Sequence, residues 1–360
     1  MINMILKKYS RKRAFLSYKV IFPYMVEIIL NIYFKLVRVD ACCKRTFANT
    51  NDSSSKISGY VFIFPSVLMD QFRLLNINLG TCSALIRLNK LIIIDKKRKI
   101  VFRCSSSDSG IKSIINNYSS LKKMMFDRAP RPLFFKEVDG FVISAESLLD
   151  GLEVDLHELT EATMSEIFEQ IAPYYNANLS VRHFSLIEEL NYYDKFFEPY
   201  CSLWIEKLTE IKCLIVKINS NSSERIRVCK TLIHGDLTYR NVLFGENGFL
   251  FYDFERESFS YPEFDIYLFY IDWLTHLNGP SYKGMIDNIF KFIRNEVTLQ
   301  SVNISRIIGH GFERNREVGN ILKYVFLYRM TVLSLGNFEE NEIFVEEILH
   351  LIIKELEIEK

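Results

Sequence analysis

Three polar residues in one short segment have types and spacing that suit metal binding and proton transfer. Asp236 ends the tripeptide His234-Gly235-Asp236, Asn241 follows it by five residues, and Asp253 follows it by 17. The residues between Asn241 and Asp253 have the pattern of two short strands joined by the turn Glu246-Asn247-Gly248. Because the second strand of a hairpin returns beside the first, we expect Asp236, Asn241 and Asp253 to lie close together.

Two carboxylates and one carboxamide in a shared cleft suit phosphoryl transfer from a nucleotide. Such a transfer needs oxygen ligands for Mg²⁺, which prefers carboxylate, carbonyl and water oxygens. It also needs a group that accepts the proton of the attacking hydroxyl, in line with the γ-phosphate. Asp236 fits the role of proton acceptor, and Asn241 and Asp253 fit the role of metal ligands. Beside them, Arg240 either points at a transferred phosphate or is a surface arginine, and His234 is expected to anchor the loop.

The segment 232–255 resembles the catalytic core of the aminoglycoside phosphotransferase and choline kinase superfamily. The pattern of that family is H-G-D, an Asn five residues after this Asp, and a strand that ends in D-F-E or D-W-E. Here the same order appears at 234–236, at Asn241 and at 253–255. The family also has an Asp in a following helix that buttresses the catalytic loop, and Asp265 has this position.

The resemblance implies an α+β, two-lobed protein-kinase-like fold with a strand-rich first lobe and a helix-rich second lobe. It implies that Asp236 is the catalytic base and that Asn241 and Asp253 bind Mg²⁺. ATP is then the co-substrate, and the acceptor is a hydroxyl group of a small molecule. No Walker-type G-x-x-x-x-G-K-[ST] and no G-x-G-x-x-G occurs, so neither a P-loop nor a dinucleotide fold is indicated.

The likeness extends into the first half of the chain. Residues 99–124 resemble the strand, loop and helix that carry the ATP-orienting Lys of the family and its Glu partner. The alignment places Arg103 at the Lys position and Asn117 at the Glu position. Arg103 retains a positive charge for the α- and β-phosphates, but an arginine has a different reach, and Asn117 cannot form the ion pair. Either ATP is held differently, or the frame is shifted and Lys99 or a neighbour serves instead.

Two further parts of a nucleotide site are expected before residue 150. Residues 78–88 lie where a phosphate-covering hairpin belongs, although Gly80 is their single glycine. Residues 141–151 resemble the hinge between the lobes. There the main chain from Glu146 to Leu148 is expected to meet the edge of the adenine. Together with Arg103, these residues are the predicted nucleotide-binding set.

The elements that must position these residues change in character along the chain. Apolar runs at 60–64, 91–95 and 99–103 predict strands, with a hairpin tip at 95–99. Apolar residues at helical spacing predict a helix over 109–125. Two more strands are predicted at 133–138 and 141–146, joined by Asp139-Gly140, and helices dominate from about residue 155. The predicted division is an N-terminal extension and linker over 1–57, a nucleotide-binding lobe over 58–148, and a helical lobe with the catalytic loop and acceptor site over 149–360.

Composition limits the class of protein. The 360 residues are 49% hydrophobic and 25% charged, with 29 Phe and 19 Tyr, so a disordered or low-complexity chain is excluded. The net charge of +1 gives no case for nucleic-acid binding. The seven cysteines include no C-x-x-C and the six histidines no H-E-x-x-H, which argues against a zinc site or a disulfide framework. A reducing cytoplasm is the expected compartment.

Charge is distributed unevenly. Residues 1–150 carry 25 Lys and Arg against 11 Asp and Glu, and residues 151–360 carry 20 against 33. Within residues 1–40, a basic segment without acids precedes the apolar run 20–34, which is too short to span a bilayer. This run is interpreted as an amphipathic helix that covers the first lobe. The alternative is peripheral contact of residues 1–40 with an anionic membrane surface.

Three functional hypotheses follow. The first is an ATP- and Mg²⁺-dependent kinase of a small molecule of the aminoglycoside, sugar or amino-alcohol type. The acidic second half is compatible with a cationic acceptor. The second is a kinase of a membrane-associated glycan, which the basic N-terminal segment favours. The third is a non-catalytic, pseudokinase-like scaffold, which the replacements at Arg103 and Asn117 favour and the intact Asp236, Asn241 and Asp253 oppose.

Overall fold

The structure is a computed structural model, and the residues it describes are 16–17, 74, 82–87, 90–138, 140–194, 202–220, 227–277, 279, 281–297, 316–335 and 342–360. Outside them lie the N-terminal extension except residues 16–17, the predicted strand over 60–64, and Gly80. The expected amphipathic helix and the membrane contact of residues 1–40 fall in that part of the chain. None of the described helices is long and apolar enough to cross a membrane.

The chain divides into two compact units, of which the first consists of residues 1–150 and 252–256. Its described elements are β1 (Leu16–Ser17), β2 (Ser83–Arg87), β3 (Lys90–Asp95), β4 (Ile100–Ser105), α1 (Asp108–Lys123), β5 (Pro132–Val138), β6 (Phe141–Ser147) and a 3₁₀ turn at Phe254–Arg256. The strands form one antiparallel sheet in the order β1-β2-β3-β4-β6-β5. Strand β6 therefore lies between β4 and β5.

The core of this sheet consists of the apolar residues that predicted its strands. Ile93 of β3, Phe102 of β4 and Ile143 of β6 are buried in one cluster. Strands β3 and β4 pair from Leu91–Cys104 to Asp95–Ile100, which confirms the predicted hairpin tip. At the other edge β5 pairs with β6, as predicted for the second hairpin.

Helix α1 confirms the predicted helix with slightly different ends. The Ser107 hydroxyl accepts a hydrogen bond from the Gly110 main-chain N–H at 3.2 Å, so Ser107 is the N-cap. Lysines in the last turn complement the negative end of the helix dipole. Ile114 and Leu121 are buried on the inner face, and Asn117 is buried on the same face between them.

The second unit consists of residues 151–251 and 257–360. Its described elements are β7 (Gly151–Glu153), α2 (Glu161–Ala177), β8 (Ser180–His183), α3 (Leu186–Asp194), α4 (Ser202–Ile218), β9 (Arg227–Ile233), a 3₁₀ turn at Tyr239–Asn241, β10 (Val242–Gly245), β11 (Gly248–Phe251), β12 (Ser258–Ser260), α5 (Pro262–Leu277), α6 (Tyr282–Ile293), α7 (Arg316–Leu335) and α8 (Glu342–Glu359). The strands form two small antiparallel sheets, in the orders β11-β10-β7 and β12-β9-β8.

Helix α5 is the centre of the second unit, because it is buried on almost all sides. The rings of Phe264 and Tyr267 pack against Phe326 of α7, with centroids 5.6 Å apart in both pairs. Phe269 meets Phe168 of α2 in an edge-to-face contact at 5.4 Å. Such aromatic pairs add to the stabilisation from burial alone. The predicted α+β fold, with a strand-rich N-terminal part and a helical C-terminal part, is confirmed.

The predicted hairpin between Asn241 and Asp253 is confirmed as β10 and β11, which pair from Val242–Phe251 to Gly245–Gly248. Gly248 has a φ of +105°, and a Cβ there would lie 2.4 Å from Gln170 Oε1. That oxygen accepts a hydrogen bond from the Phe249 N–H at 2.6 Å. The substitution Gly248→Ala is therefore expected to lower the free energy of unfolding by about 2 kcal/mol, through backbone strain and loss of this hydrogen bond. Urea denaturation measures it.

Gly140→Ala is the matched control for this prediction. Gly140 also has a positive φ, of +79°, but a Cβ there meets nothing within 4 Å. The Gly140→Ala variant therefore reports the cost in unfolding free energy of an L side chain at positive φ, without displacement of a neighbouring residue. A loss for Gly248→Ala no larger than that for Gly140→Ala would show that the contact with Gln170 is unimportant.

Candidate active site

The loop that carries the H-G-D motif connects β9 to β10 and is held by Asp265 of α5. Asp265 Oδ2 accepts a hydrogen bond from the His234 main-chain N–H at 2.7 Å, and Oδ1 accepts one from the Gly235 N–H at 2.8 Å. One carboxylate thus binds two successive main-chain donors. Asp265 was predicted to buttress this loop from its place in the motif, and its contacts have the geometry which that role requires.

Asp265 is only 1% exposed, and it has a further partner from helix α2. The Tyr175 hydroxyl donates to Asp265 Oδ2 at 3.0 Å. Burial raises the pKa of Asp265, while the electrostatic interaction with His234 and the two main-chain hydrogen bonds lower it. Burial and the neighbouring carboxylate also raise the pKa of Tyr175, so this phenol stays a donor. The loop is therefore tied to α5 and, through Asp265, to α2.

Arg329 of α7 holds the same loop by binding the main-chain oxygen of Gly235, and no pattern in the sequence indicates this role. Its Nη2 donates to the main-chain oxygen of Gly235 at 3.1 Å. Gly235 has a φ of +80°, in the region where an L side chain is strained. Both the N–H and the carbonyl of Gly235 are therefore bound to buried charged side chains. The 94 residues that separate Arg329 from Gly235 leave no local signal for this contact.

Asn241 and Asp236, two of the predicted site residues, are brought together by the loop. Asn241 Nδ2 donates to the main-chain oxygen of Asp236 at 2.8 Å. The Asp236 carbonyl is an acceptor, so the Nδ2 amino group of Asn241 faces it. The amide oxygen of Asn241, Oδ1, therefore points away from this carbonyl and is an acceptor. The Asp236 main-chain N–H points to Nδ1 of the buried His234 at 3.4 Å, which supports a loop-anchoring role for His234. The main chain of Asp236 makes these contacts, and its side chain is half-buried.

Arg240 is engaged by a carboxylate of α5. Its Nη2 donates to Asp272 Oδ1 at 3.0 Å, and the Arg240 side chain is half exposed. Burial raises the pKa of Asp272, while Arg240 and then His276 lower it and Asp236 raises it. Arg240 is thus a partly exposed cation in an ion pair. A direct role on a transferred phosphate stays a prediction.

In the first unit, Asp253 and Arg103 form an ion pair. Arg103 Nη1 donates to Asp253 Oδ1 at 3.3 Å. Asp253 has a φ of +69°, a left-handed conformation that costs about 1 to 2 kcal/mol for a residue other than glycine. The ion pair offsets part of this cost. The expected closeness of Asp253 to Asp236 and Asn241 stays a prediction.

The principal partner of Arg103 is Glu146 of β6. Arg103 Nε and Nη2 donate to Glu146 Oε1 at 3.1 and 2.9 Å, and each residue is only 5% exposed. Burial lowers the pKa of Arg103, but Glu146 and then Asp253 raise it by more, so the guanidinium stays charged. Lys99, the alternative cation, instead forms an exposed ion pair with Asp150.

Asn117 of α1 completes this group. Its Nδ2 donates to Glu146 Oε2 at 2.7 Å. By its place in the sequence pattern, Asn117 stands where the family has an acid, and an amide cannot form an ion pair with the cation. In the structure Arg103 does have a carboxylate partner, and this partner comes from the sheet. Glu146 had been assigned only a main-chain contact with adenine, so the role of its side chain was missed.

The main chain of the predicted hinge is partly used within the first unit. The Leu148 N–H donates to the Lys99 oxygen at 2.8 Å, and the Ser147 N–H donates to the Arg131 oxygen at 2.9 Å. Glu146 lies in register with Val101 of β4 and Pro132 of β5. The donor of Leu148 is therefore engaged, and contact of this segment with adenine stays a prediction.

Glu255 of the D-F-E motif is held by two residues that sequence reasoning missed. Lys90 of β3 forms an ion pair with Glu255, and the Ser113 hydroxyl of α1 also donates to this carboxylate. Lys90 Nζ lies 2.7 Å from Ser113 Oγ, and Lys90 is buried. The segment that carries Asp253 and Glu255 is thus bound to the sheet through both acids of its motif.

The described residues contain no group of three or more His, Cys, Asp or Glu arranged to hold a metal ion. Mg²⁺ in phosphoryl-transfer sites is usually bound by one or two protein oxygens, by substrate phosphates and by water. Asn241 Oδ1 and the Asp253 carboxylate are oxygen donors of the type that this ion prefers. The donor chemistry therefore fits Mg²⁺.

Comparison with known proteins supports the fold. No protein-family model and no curated protein matches this sequence. Among solved structures, a choline kinase from Streptococcus pneumoniae matches at 13% identity over 81% of this chain and 98% of its own, with a TM-score of 0.50. The aminoglycoside phosphotransferase APH(4)-Ia matches at 12% identity over 81% and 99%, with a TM-score of 0.51. This chain therefore has the protein-kinase-like fold of these choline kinase and aminoglycoside phosphotransferase structures, as the H-G-D, Asn and D-F-E pattern predicted.

Proposed function

We propose that this protein is a phosphotransferase that moves the γ-phosphate of ATP to a hydroxyl group of a small molecule. The observation that carries the proposal is the anchored H-G-D loop. Asp265 binds two successive main-chain donors of this loop, and Asn241 binds the Asp236 carbonyl. A loop held by buried hydrogen bonds keeps a base and a metal ligand in constant relative positions, which phosphoryl transfer requires.

In this proposal the chain's own residues have separate tasks. Asp236 accepts the proton of the acceptor hydroxyl. The hydroxyl oxygen forms a bond to the γ-phosphorus, and the bond between the γ-phosphorus and the bridging β-phosphate oxygen breaks. Asn241 and Asp253 bind Mg²⁺, which supplies positive charge to the phosphate oxygens when it is present. ADP leaves with the electron pair of the broken bond.

Arg103 is the cation assigned to the α- and β-phosphates. It is buried and charged, and Glu146 holds it on the sheet. Lys99 is an exposed partner of Asp150, which favours Arg103 over the shifted frame. The main chain from Glu146 to Leu148 is assigned to the adenine, through groups other than the Ser147 and Leu148 N–H, which donate to Arg131 and Lys99.

The acceptor class proposed is an aminoglycoside, a sugar or an amino alcohol. The solved structures with this fold include a choline kinase and an aminoglycoside phosphotransferase, whose names describe acceptors of this kind. The excess of acids in residues 151–360 is compatible with an acceptor that carries amino groups. Contact of residues 1–40 with a membrane, which would bring a glycan acceptor within reach, stays a separate prediction.

Thermal unfolding with nucleotide tests the proposal directly. A ligand that binds only the folded state raises the melting temperature, so ATP or GTP with Mg²⁺ is expected to stabilise the wild type. The substitution Asp253→Ala is expected to abolish the Mg²⁺-dependent part of this shift, because it removes a metal ligand. Asp127→Ala, at an exposed aspartate in a turn of the first unit, is the matched control and is expected to retain the full shift.

Each outcome has a distinct meaning. A Mg²⁺-dependent shift that Asp253→Ala removes would support the nucleotide site and justify a screen of hydroxyl acceptors. The absence of any shift in the wild type would contradict the proposal. Nucleotide binding that persists after chelation of Mg²⁺, with no turnover on any acceptor, would favour the scaffold function.

A further inference from the structure

Arg103, a buried cation of the first unit, is held by a carboxylate from a neighbouring strand. Arg103 lies on β4 and Glu146 on β6, and these strands pair directly, with Arg103 opposite Ser144 and Glu146 opposite Val101. Two nitrogens of the Arg103 fork donate to the same oxygen, Glu146 Oε1. The contact therefore depends on the register of two adjacent strands.

Asn117 holds the other oxygen of this carboxylate. Its amide donates to Glu146 Oε2 at 2.7 Å, so both oxygens of Glu146 have partners. Asn117 is only 2% exposed, and its own Oδ1 has no hydrogen-bond partner among the described residues. An acid at 117 would place a second negative charge beside Glu146, and an amide is the neutral donor that avoids it. Arg103, Glu146 and Asn117 thus form a matched set. Glu146 is the carboxylate partner of Arg103, and Asn117 is the neutral donor that Glu146 requires.

We propose that Glu146 is the positioning residue for Arg103 as a phosphate-binding cation, and that Asn117 fixes Glu146 for this task. The inference rests on the proposed function, because it concerns the nucleotide site of the same enzyme. The sequence pattern places the carboxylate partner of the cation on helix α1, and the proposal places it on strand β6.

The hydrogen-bond inventory of Arg103 is consistent with this role. A guanidinium has five N–H donors, and partners among the described residues use three of them, two on Glu146 and one on Asp253. The remaining two belong to Nη1 and Nη2, which are the ends of the fork. A planar guanidinium whose Nε and Nη2 are held by one carboxylate is preorganised, so that its two remaining N–H donors can bind phosphate oxygens.

The test compares ADP binding, in the presence of Mg²⁺, across variants of the full chain by isothermal titration calorimetry. Glu146→Gln is expected to weaken ADP binding by about tenfold or more, since it removes the charge that orients Arg103. Asn117→Ala is expected to weaken it by about threefold, since it removes one hydrogen bond to Glu146. Lys99→Met is the control and is expected to leave the affinity unchanged.

A second-site variant distinguishes positioning from a loss of structure. In Asn117→Asp/Glu146→Gln the carboxylate and the amide exchange places, so the group keeps its net charge and its mutual hydrogen bond. This double variant is expected to recover at least part of the ADP affinity lost in Glu146→Gln. Melting temperatures without ligand, measured for every variant, show whether each one folds.

The results separate this inference from the proposed function. A wild type that does not bind ADP would contradict the proposed function itself. A wild type that binds ADP, with Glu146→Gln folded and equally tight, would overturn the inference alone. Loss of affinity in Lys99→Met would also overturn it, because it would identify Lys99 as the cation. If Glu146→Gln does not fold, unchanged ADP affinity in Asn117→Ala overturns the inference, and a threefold loss supports it.

Discussion

Replacing Asp236 by asparagine is expected to lower kcat by about 10²- to 10⁴-fold, the range that a general base contributes. The loop should survive the change, because Asp236 binds Asn241 and His234 through main-chain atoms. Asp236 is half-buried, so part of the residue is exposed to solvent. The measurement is steady-state turnover with an acceptor found by the screen, together with the ADP dissociation constant.

Binding and turnover should separate in this variant. ADP affinity is expected to stay within about twofold of the wild type, since Asp236 is assigned to the proton and not to the nucleotide. Asp253→Ala is the complementary variant, in which Mg²⁺-dependent nucleotide binding is itself lost. Equal turnover in the wild type and in Asp236→Asn would refute the assignment of the base.

The second large effect is expected at Asp265, where the cost is structural and catalytic together. Asp265→Ala removes three hydrogen bonds and leaves the N–H groups of His234 and Gly235 buried without an acceptor. Buried donors without partners are costly, so the free energy of unfolding is expected to fall by about 3 kcal/mol or more. Urea denaturation of the apoprotein measures this loss, and turnover should fall with it because the loop that carries Asp236 is released.

Tyr175→Phe is the graded control for Asp265. It removes only the hydroxyl that donates to Asp265 Oδ2 and leaves both main-chain hydrogen bonds in place. The expected loss is about 1 kcal/mol, with turnover largely retained. If Asp265→Ala were no more destabilised than Tyr175→Phe, the main-chain contacts of Asp265 would not be what holds the loop.

Local patterns were sufficient for several of the elements and for the H-G-D loop. The helix over α1 and the β10–β11 hairpin follow from apolar spacing and from turn residues such as Gly248, because these depend on neighbours in the chain. The fold followed from the H-G-D, Asn and D-F-E pattern. The buttressing role of Asp265 was predicted from the same pattern, and the structure adds the two main-chain donors that define it.

The predicted nucleotide-binding set shows what local patterns miss. The strand pair β5–β6 was predicted, but a hairpin does not decide which of its two strands joins the rest of the sheet. The order β4-β6-β5 places Glu146 beside Arg103, across 43 residues of sequence. Without that order, Asn117 was interpreted as a missing acid, although it is the donor that holds Glu146.

The sequence by itself thus determined strands β3 to β6, helix α1, the β10–β11 hairpin, the fold class and the residue types that suit phosphoryl transfer, because each depends on short-range periodicity or on one continuous motif. Only the tertiary structure decided which partner each buried charge binds. Lys90 pairs with Glu255 across 165 residues, and Arg329 binds Gly235 across 94. A buried ion needs a partner of opposite charge or a hydrogen-bonding group, since leaving it without one costs several kcal/mol. Which partner each ion finds depends on strand order and helix packing, which no local stretch of sequence encodes.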